Sequence, residues 1–178
     1  SFLILAIYAF QGNRQVIKAL IFSWLLIALN KALVPGLASG MLGRYLVIFA
    51  SFASIMLRID FNLKKIDSLL FLTVFLGVFF AIHAIFISPI PDVSILKAIN
   101  WTLTIFTLYM AWSNLNLAQH EYMQRWILGF LLTVAILSIP TYFFPEVAFR
   151  RSGTGFQGII NHPQIFGPVM AILGALIL

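Results

Sequence analysis

The chain has 178 residues, of which 62% are hydrophobic and only 9% charged, with a net charge of +6 and a mean hydropathy of +1.03. An ordinary globular domain carries about 25% charged residues, so this composition excludes a water-clothed soluble domain and points to an all-α integral membrane protein, a multi-pass bundle of transmembrane helices. Cysteine is absent, which excludes a disulfide framework, a thiol nucleophile and a cysteine-ligated metal; the basic residues are scattered through short loops, pointing to anionic lipid headgroups and phosphorylated lipids rather than nucleic acid.

The chain opens without a methionine on Ser1-Phe2-Leu3-Ile4-Leu5 and stops at Leu176-Ile177-Leu178, both inside apolar runs. It therefore reads as one transmembrane domain fragment over 1–178, with about seven helices of which the first and last are incomplete. The opening run has no basic n-region and no small-residue cleavage site, so it does not read as a signal peptide. Residues 1–10 are the tail of one span, and the next runs from Val16 to about Val34. A third covers Leu37 to Leu57, with Arg44 in its first turns. Residues 68–88 form the clearest span, followed by about 98–113, about 126–144, and 164 onward. A helix needs roughly 20 apolar residues to cross the hydrocarbon core, so the second, third and fifth segments depend on Lys or Arg stems snorkelling at their ends.

Alternation along these spans puts Arg14, Lys18, Arg58, Lys64, Lys65 and Arg125 on one side and Lys31, Arg44, Lys97, Arg150 and Arg151 on the other. The positive-inside rule makes the first group cytoplasmic and the loop at 145–163 extracytoplasmic. Trp101, Trp112, Tyr122, Trp126 and Tyr142 lie near the ends of these segments, as an interfacial aromatic belt requires. Gly36, Gly40, Ala50 and Ser54 are small enough for close helix approach. His83 is the one ionisable residue deep in a span, a functional candidate on that ground, though only five residues from Ser88.

The loop at 145–164 concentrates the polar chemistry. Arg150 and Arg151 stand at a membrane boundary, where guanidinium groups bind phosphate bidentately and stay charged. Gly153, Gly155 and Gly158 permit positive φ and close backbone approach. Pro163 suits the first position of a helix, with Asn161 or His162 as its cap. That helix start would aim free N–H groups and a positive dipole end into the loop. The bland alternative is headgroup anchoring by the arginines and a turn made by the glycines; for His162 it is a cap or interfacial role.

The run Arg150-Arg151-Ser152-Gly153-Thr154-Gly155-Phe156-Gln157-Gly158-Ile159-Ile160-Asn161-His162-Pro163-Gln164-Ile165-Phe166-Gly167 resembles the start of the conserved membrane domain of the O-antigen ligase and O-antigen polymerase superfamily. There an arginine precedes a glycine-bearing segment, an Asn-His-Pro-Gln type turn and an apolar helix. The ligase-like region would begin at about 126 and run to 178. The resemblance implies a glycosyltransferase of the bacterial inner membrane, with its active face extracytoplasmic, acting in surface polysaccharide and lipopolysaccharide synthesis. Its donor would be a glycan on undecaprenyl diphosphate. Its acceptor would be lipid A–core for a ligase, or another lipid-linked repeat for a polymerase. It implies no cofactor and no metal, with donor diphosphate binding at Arg150 or Arg151 together with Gly153, Gly155 and His162. The catalytic residue is expected downstream of Leu178, so His162 is not the family's catalytic histidine and the fragment alone is expected to be inactive.

Two other classes compete. A lipid or polysaccharide transporter or flippase would show broken helices, paired repeats and ionisable residues near mid-membrane; only His83 fits, and no repeat is present. A non-catalytic subunit binding anionic lipid through Arg150 and Arg151 needs only the loop's charge.

Overall fold

The computed structural model describes residues 2–30, 33, 40–58, 68–149 and 155–177. The helices are α1 (Phe2–Ala9), α2 (Asn13–Ala28), α3 (Gly40–Met56), α4 (Ser68–Ile87), α5 (Pro91–Ser113), α6 (Leu117–Ser138), a 3₁₀ segment (Ile139–Phe143), α7 (Pro145–Ala148) and α8 (Pro163–Ile177). Among the described residues there is no strand, only an isolated antiparallel bridge between Leu29 and Ile160. Among the described residues, three helical stretches are long and apolar enough to cross a membrane: Ser68–Ile87, Pro91–Ser113 and Leu117–Phe143. Leu42–Met56 and Pro163–Ala175 are shorter apolar helices. The chain is an all-α membrane helix bundle.

The sorting of side chains on α4 suits lipid. Its buried positions are Leu70, Thr73, Gly77 and Ala84, one face at helical spacing, whereas Phe71 (67% exposed) and Phe86 (80%) point outward. Lipid tails are as apolar as these rings, so nothing drives the rings inward; small residues face the neighbouring helix because they let backbones approach.

The described residues fall into two compact units, Ser1–Ser23 with Gly43–Leu115, and Trp24–Leu42 with Asn116–Leu178. In the first, the Ser54 hydroxyl donates to the Ala9 carbonyl at 2.8 Å, and Phe52 meets Phe106 at a centroid distance of 5.8 Å. Helices α4 and α5 form a hairpin in which Gly77 packs against Thr102; a β-carbon at Gly77 would overlap the threonine hydroxyl. In the second unit, Ala28, Leu131, Val134, Ile160, Val169 and Leu173 form the core, joining the end of α2, one face of α6, one face of α8 and the segment before α8.

Several boundaries differ from those read in the sequence. Helix α2 ends at Ala28 rather than near Val34, because the backbone after it turns to pair with residues 159–161. Helix α5 starts at Pro91, seven residues before the expected 98, on a proline that needs no N–H partner at that position. Lys97 therefore lies inside a helix instead of in a loop. Trp101 lies in the middle of that helix, not at its end, and packs edge-on against Phe80 at 5.8 Å. Helix α6 starts at Leu117 rather than about 126, set by a capping box in which the Asn116 side chain accepts from Gln119 N at 2.8 Å and Gln119 Oε1 accepts from Asn116 N at 3.2 Å. Arg125, expected in a loop, lies in that helix, paired with Glu121 at 3.2 Å.

Candidate functional site

The loop that carries the arginines is held at both of its stems. On the incoming side, Pro140 and Pro145 break α6 into the 3₁₀ segment and the single turn of α7. Gln157 N then donates to Ala148 O at 2.9 Å, and the Gln157 side-chain Nε2 donates to Val147 O at 2.8 Å. Asn30, from beyond the end of α2, donates through Nδ2 to the same Val147 oxygen at 2.9 Å. Asn30 and Gln157 are each 1% exposed, so these bonds form where no solvent competes, and losing one leaves a buried polar group unpaired.

The outgoing side is stitched to the rest of the second unit. Asn30 N donates to Ile159 O at 2.8 Å, and Asn161 N donates to Ala28 O at 2.6 Å, a two-bond clasp around the Leu29–Ile160 bridge. Ser138 at the end of α6 accepts from Ile159 N at 3.2 Å and donates to Val134 O at 2.7 Å. Gly158 makes the turn with φ +58°, and a β-carbon there would overlap the Ser138 hydroxyl. That conformation and that closeness both require glycine.

Aromatic rings flank the loop. Phe149, immediately before Arg150, lies 6.3 Å from Tyr142 and 5.9 Å from Phe156; Phe156 in turn meets Tyr142 at 6.1 Å and Phe166 at 5.3 Å. The spacings and tilted or edge-on angles are those of favourable ring pairs. Phe149 thus meets Phe156, and Phe156 meets Phe166 in the first turn of α8.

Of the residues expected to bind a donor diphosphate, Arg150, Arg151 and Gly153 lie outside the described residues. Gly155 and His162 are half-buried. Pro163 begins α8, and His162 is its cap: Nδ1 accepts from Gln164 N at 3.2 Å, while its carbonyl accepts from Ile165 N and Phe166 N at 3.0 and 3.2 Å. The choice left open between Asn161 and His162 falls to His162, which directly precedes α8 and whose ring nitrogen takes a first-turn N–H. An Nδ1 that accepts leaves the ring proton on Nε2. The helix start therefore does not offer the free N–H groups expected of it: its first turn is spent on His162, and what remains for an anion is the dipole and Nε2–H.

Asn30 and Gln157 were not singled out as organising residues in the sequence. Asn30 ends an apolar run and Gln157 stands in a glycine-rich loop, and neither setting signals the burial that makes their hydrogen bonds obligatory. Among the described residues, no three His, Asp or Glu side chains are grouped as a metal site requires. Comparison with family models, with curated proteins and with solved structures finds no match to this chain.

Proposed function

We propose that the protein is a membrane glycosyltransferase of the O-antigen ligase or polymerase type, moving a glycan from undecaprenyl diphosphate to lipid A–core or to another lipid-linked repeat. The 18-residue resemblance from Arg150 to Gly167 supplies the family. The observation that carries the reading is the anchoring of both stems of the arginine loop. Bonds from Asn30 and Gln157 to Val147, and the Tyr142–Phe149–Phe156–Phe166 rings, hold the residues on either side of Arg150 and Arg151. A loop serving only to place basic charge near headgroups needs no such fixation, whereas stabilising a leaving group depends on preorganised donors.

In the reaction, the acceptor hydroxyl oxygen bonds to the anomeric carbon of the donor sugar. The bond from that carbon to the diphosphate oxygen breaks, and the diphosphate leaves with the electron pair. Arg150 or Arg151 neutralises the growing charge, with His162 Nε2–H and the α8 dipole as lesser contributors. The base that takes the acceptor proton lies elsewhere in the protein. The bacterial inner membrane, an extracytoplasmic active face and the lipid-linked partners all belong to this proposal.

The test is transfer of a labelled glycan from undecaprenyl diphosphate by the full-length protein in liposomes, supplied separately with lipid A–core and with a second lipid-linked repeat. Product from either acceptor, without added nucleotide sugar, is expected. Absence of product from both would remove the enzyme reading.

A further inference from the structure

Between α4 and α5, next to their connecting turn, lies a groove of about 540 Å³ lined by Phe80, His83, Ala84, Ile87, Lys97 and Trp101, among others. Its walls change character with depth. At the mouth, the Ser88 and Ser94 hydroxyls bond each other at 2.7 Å, and Ser88 Oγ also accepts from Ile90 N at 3.2 Å, fixing the turn. Counting 1.5 Å of rise per residue from Ile87 and from Pro91, His83 and Lys97 both lie about 6–9 Å along their helices, and Phe80 and Trp101 about 10–15 Å. Further along the two helices, beyond the groove's lining, Gly77 packs against Thr102. The order is polar turn, basic pair, then aromatic floor.

Two features call for an occupant. His83 and Lys97 are exposed and neither has a hydrogen-bond or ion-pair partner among the described residues. No carboxylate lines the groove; Asp92, in the first turn of α5, is not part of it. Both helices are long and apolar enough to span a membrane, and ionisable side chains on such helices are expected to meet a partner. About 6–9 Å from the end of a spanning helix, the anion a membrane offers to such a pair is a lipid phosphate.

We propose that this groove is a binding site for one anionic glycerophospholipid. The phosphate lies between His83 and Lys97, and an acyl chain runs inward over Ala84, Phe80 and Trp101. The lysine gives charge, the histidine a ring N–H donor, and the graded walls match the polarity of a phospholipid from head to tail. The site does not depend on the glycan-transfer reading, since no residue of the 145–164 loop takes part.

The experiment measures binding of headgroup-labelled phosphatidylglycerol to the full-length protein in neutral detergent, with phosphatidylcholine and inorganic phosphate as competitors. One high-affinity lipid is expected, displaced by unlabelled phosphatidylglycerol but by neither competitor. Lys97→Gln should weaken it about fivefold, the effect of one basic group at a membrane surface, and His83→Ala combined with Lys97→Gln further. Lys97→Arg should bind as the parent protein does and shows that substitution there leaves the fold intact. Arg125→Gln, which removes an exposed cation on α6, should change nothing. Equal weakening by Arg125→Gln and Lys97→Gln would reduce the effect to general surface charge and overturn the site. Displacement by phosphatidylcholine or by inorganic phosphate at the same concentration would equally overturn it.

Discussion

At the scale of single residues, the loop's geometry depends on two amide side chains and one glycine. Gln157 presents Nε2 to Val147 O, while its Oε1 is buried without a partner among the described residues, and Val147 O keeps a second donor in Asn30. Gln157→Leu removes one bond and one unpaired oxygen together, so it should change stability by no more than about 1 kcal/mol. Gln157→Glu keeps the shape but sets a buried carboxylate against a carbonyl oxygen and should cost about 3–5 kcal/mol. Thermal unfolding of the detergent-solubilised protein distinguishes the two; equal midpoints would mean that the Gln157 side chain is not enclosed as described. Gly158→Ala forces a β-carbon into a φ of +58° and onto Ser138, and the same measurement should show a loss of about 1–3 kcal/mol. What was legible at this scale was backbone chemistry, a proline at the helix start and a capping residue next to it. The burial of Gln157 was not, because its partners come from Asn30 and Val147, far away in sequence.

Among the helical elements, legibility followed hydropathy. The sequence places a span at 68–88 and helix α4 is Ser68–Ile87, because its apolar run is interrupted by a single ionisable residue, His83. Helices α5 and α6 were read seven to nine residues short, because their first turns carry Asp92, Lys97, His120, Glu121 and Arg125, which an apolar-run criterion discards. Their true starts lie in local signals, Pro91 and the Asn116–Gln119 capping box. Asn116→Ala should therefore lower stability by about 1 kcal/mol without altering the rest of α6, seen as a lower unfolding midpoint at unchanged helix content. Helix packing within the hairpin rests on Gly77. Gly77→Val places a branched side chain against Thr102 and should cost about 1–3 kcal/mol by overpacking; an unchanged midpoint would contradict the close approach of α4 and α5.

For the molecule as a whole, composition alone dictated the class. With 9% charged residues there is no aqueous surface to build, and the structure answers with long apolar helices whose large side chains face outward. Sidedness is a separate matter, encoded only in the distribution of Lys and Arg. The proposed function puts the loop at 145–163 on the extracytoplasmic face, a placement for which the sequence offers six basic residues on one side against five on the other. The chain contains no cysteine, so single cysteines introduced at Ser152 and at Asn62, both outside the described residues, report cleanly. An impermeant thiol reagent should label them from opposite sides, and labelling from one side would reverse the topology.

The central claim is that Arg150 or Arg151 stabilises a diphosphate leaving group, and the most direct measurement is the rate of glycan transfer by the full-length protein carrying Arg150→Ala, Arg151→Ala or both. Loss of a comparable electrostatic donor lowers turnover about 100- to 1,000-fold. That loss is expected for at least one single variant and for the double, with Arg→Lys restoring activity only in part because an ammonium lacks the bidentate fork. Normal insertion with near-parental transfer by both single variants and by the double would contradict the claim and leave the arginines as headgroup anchors.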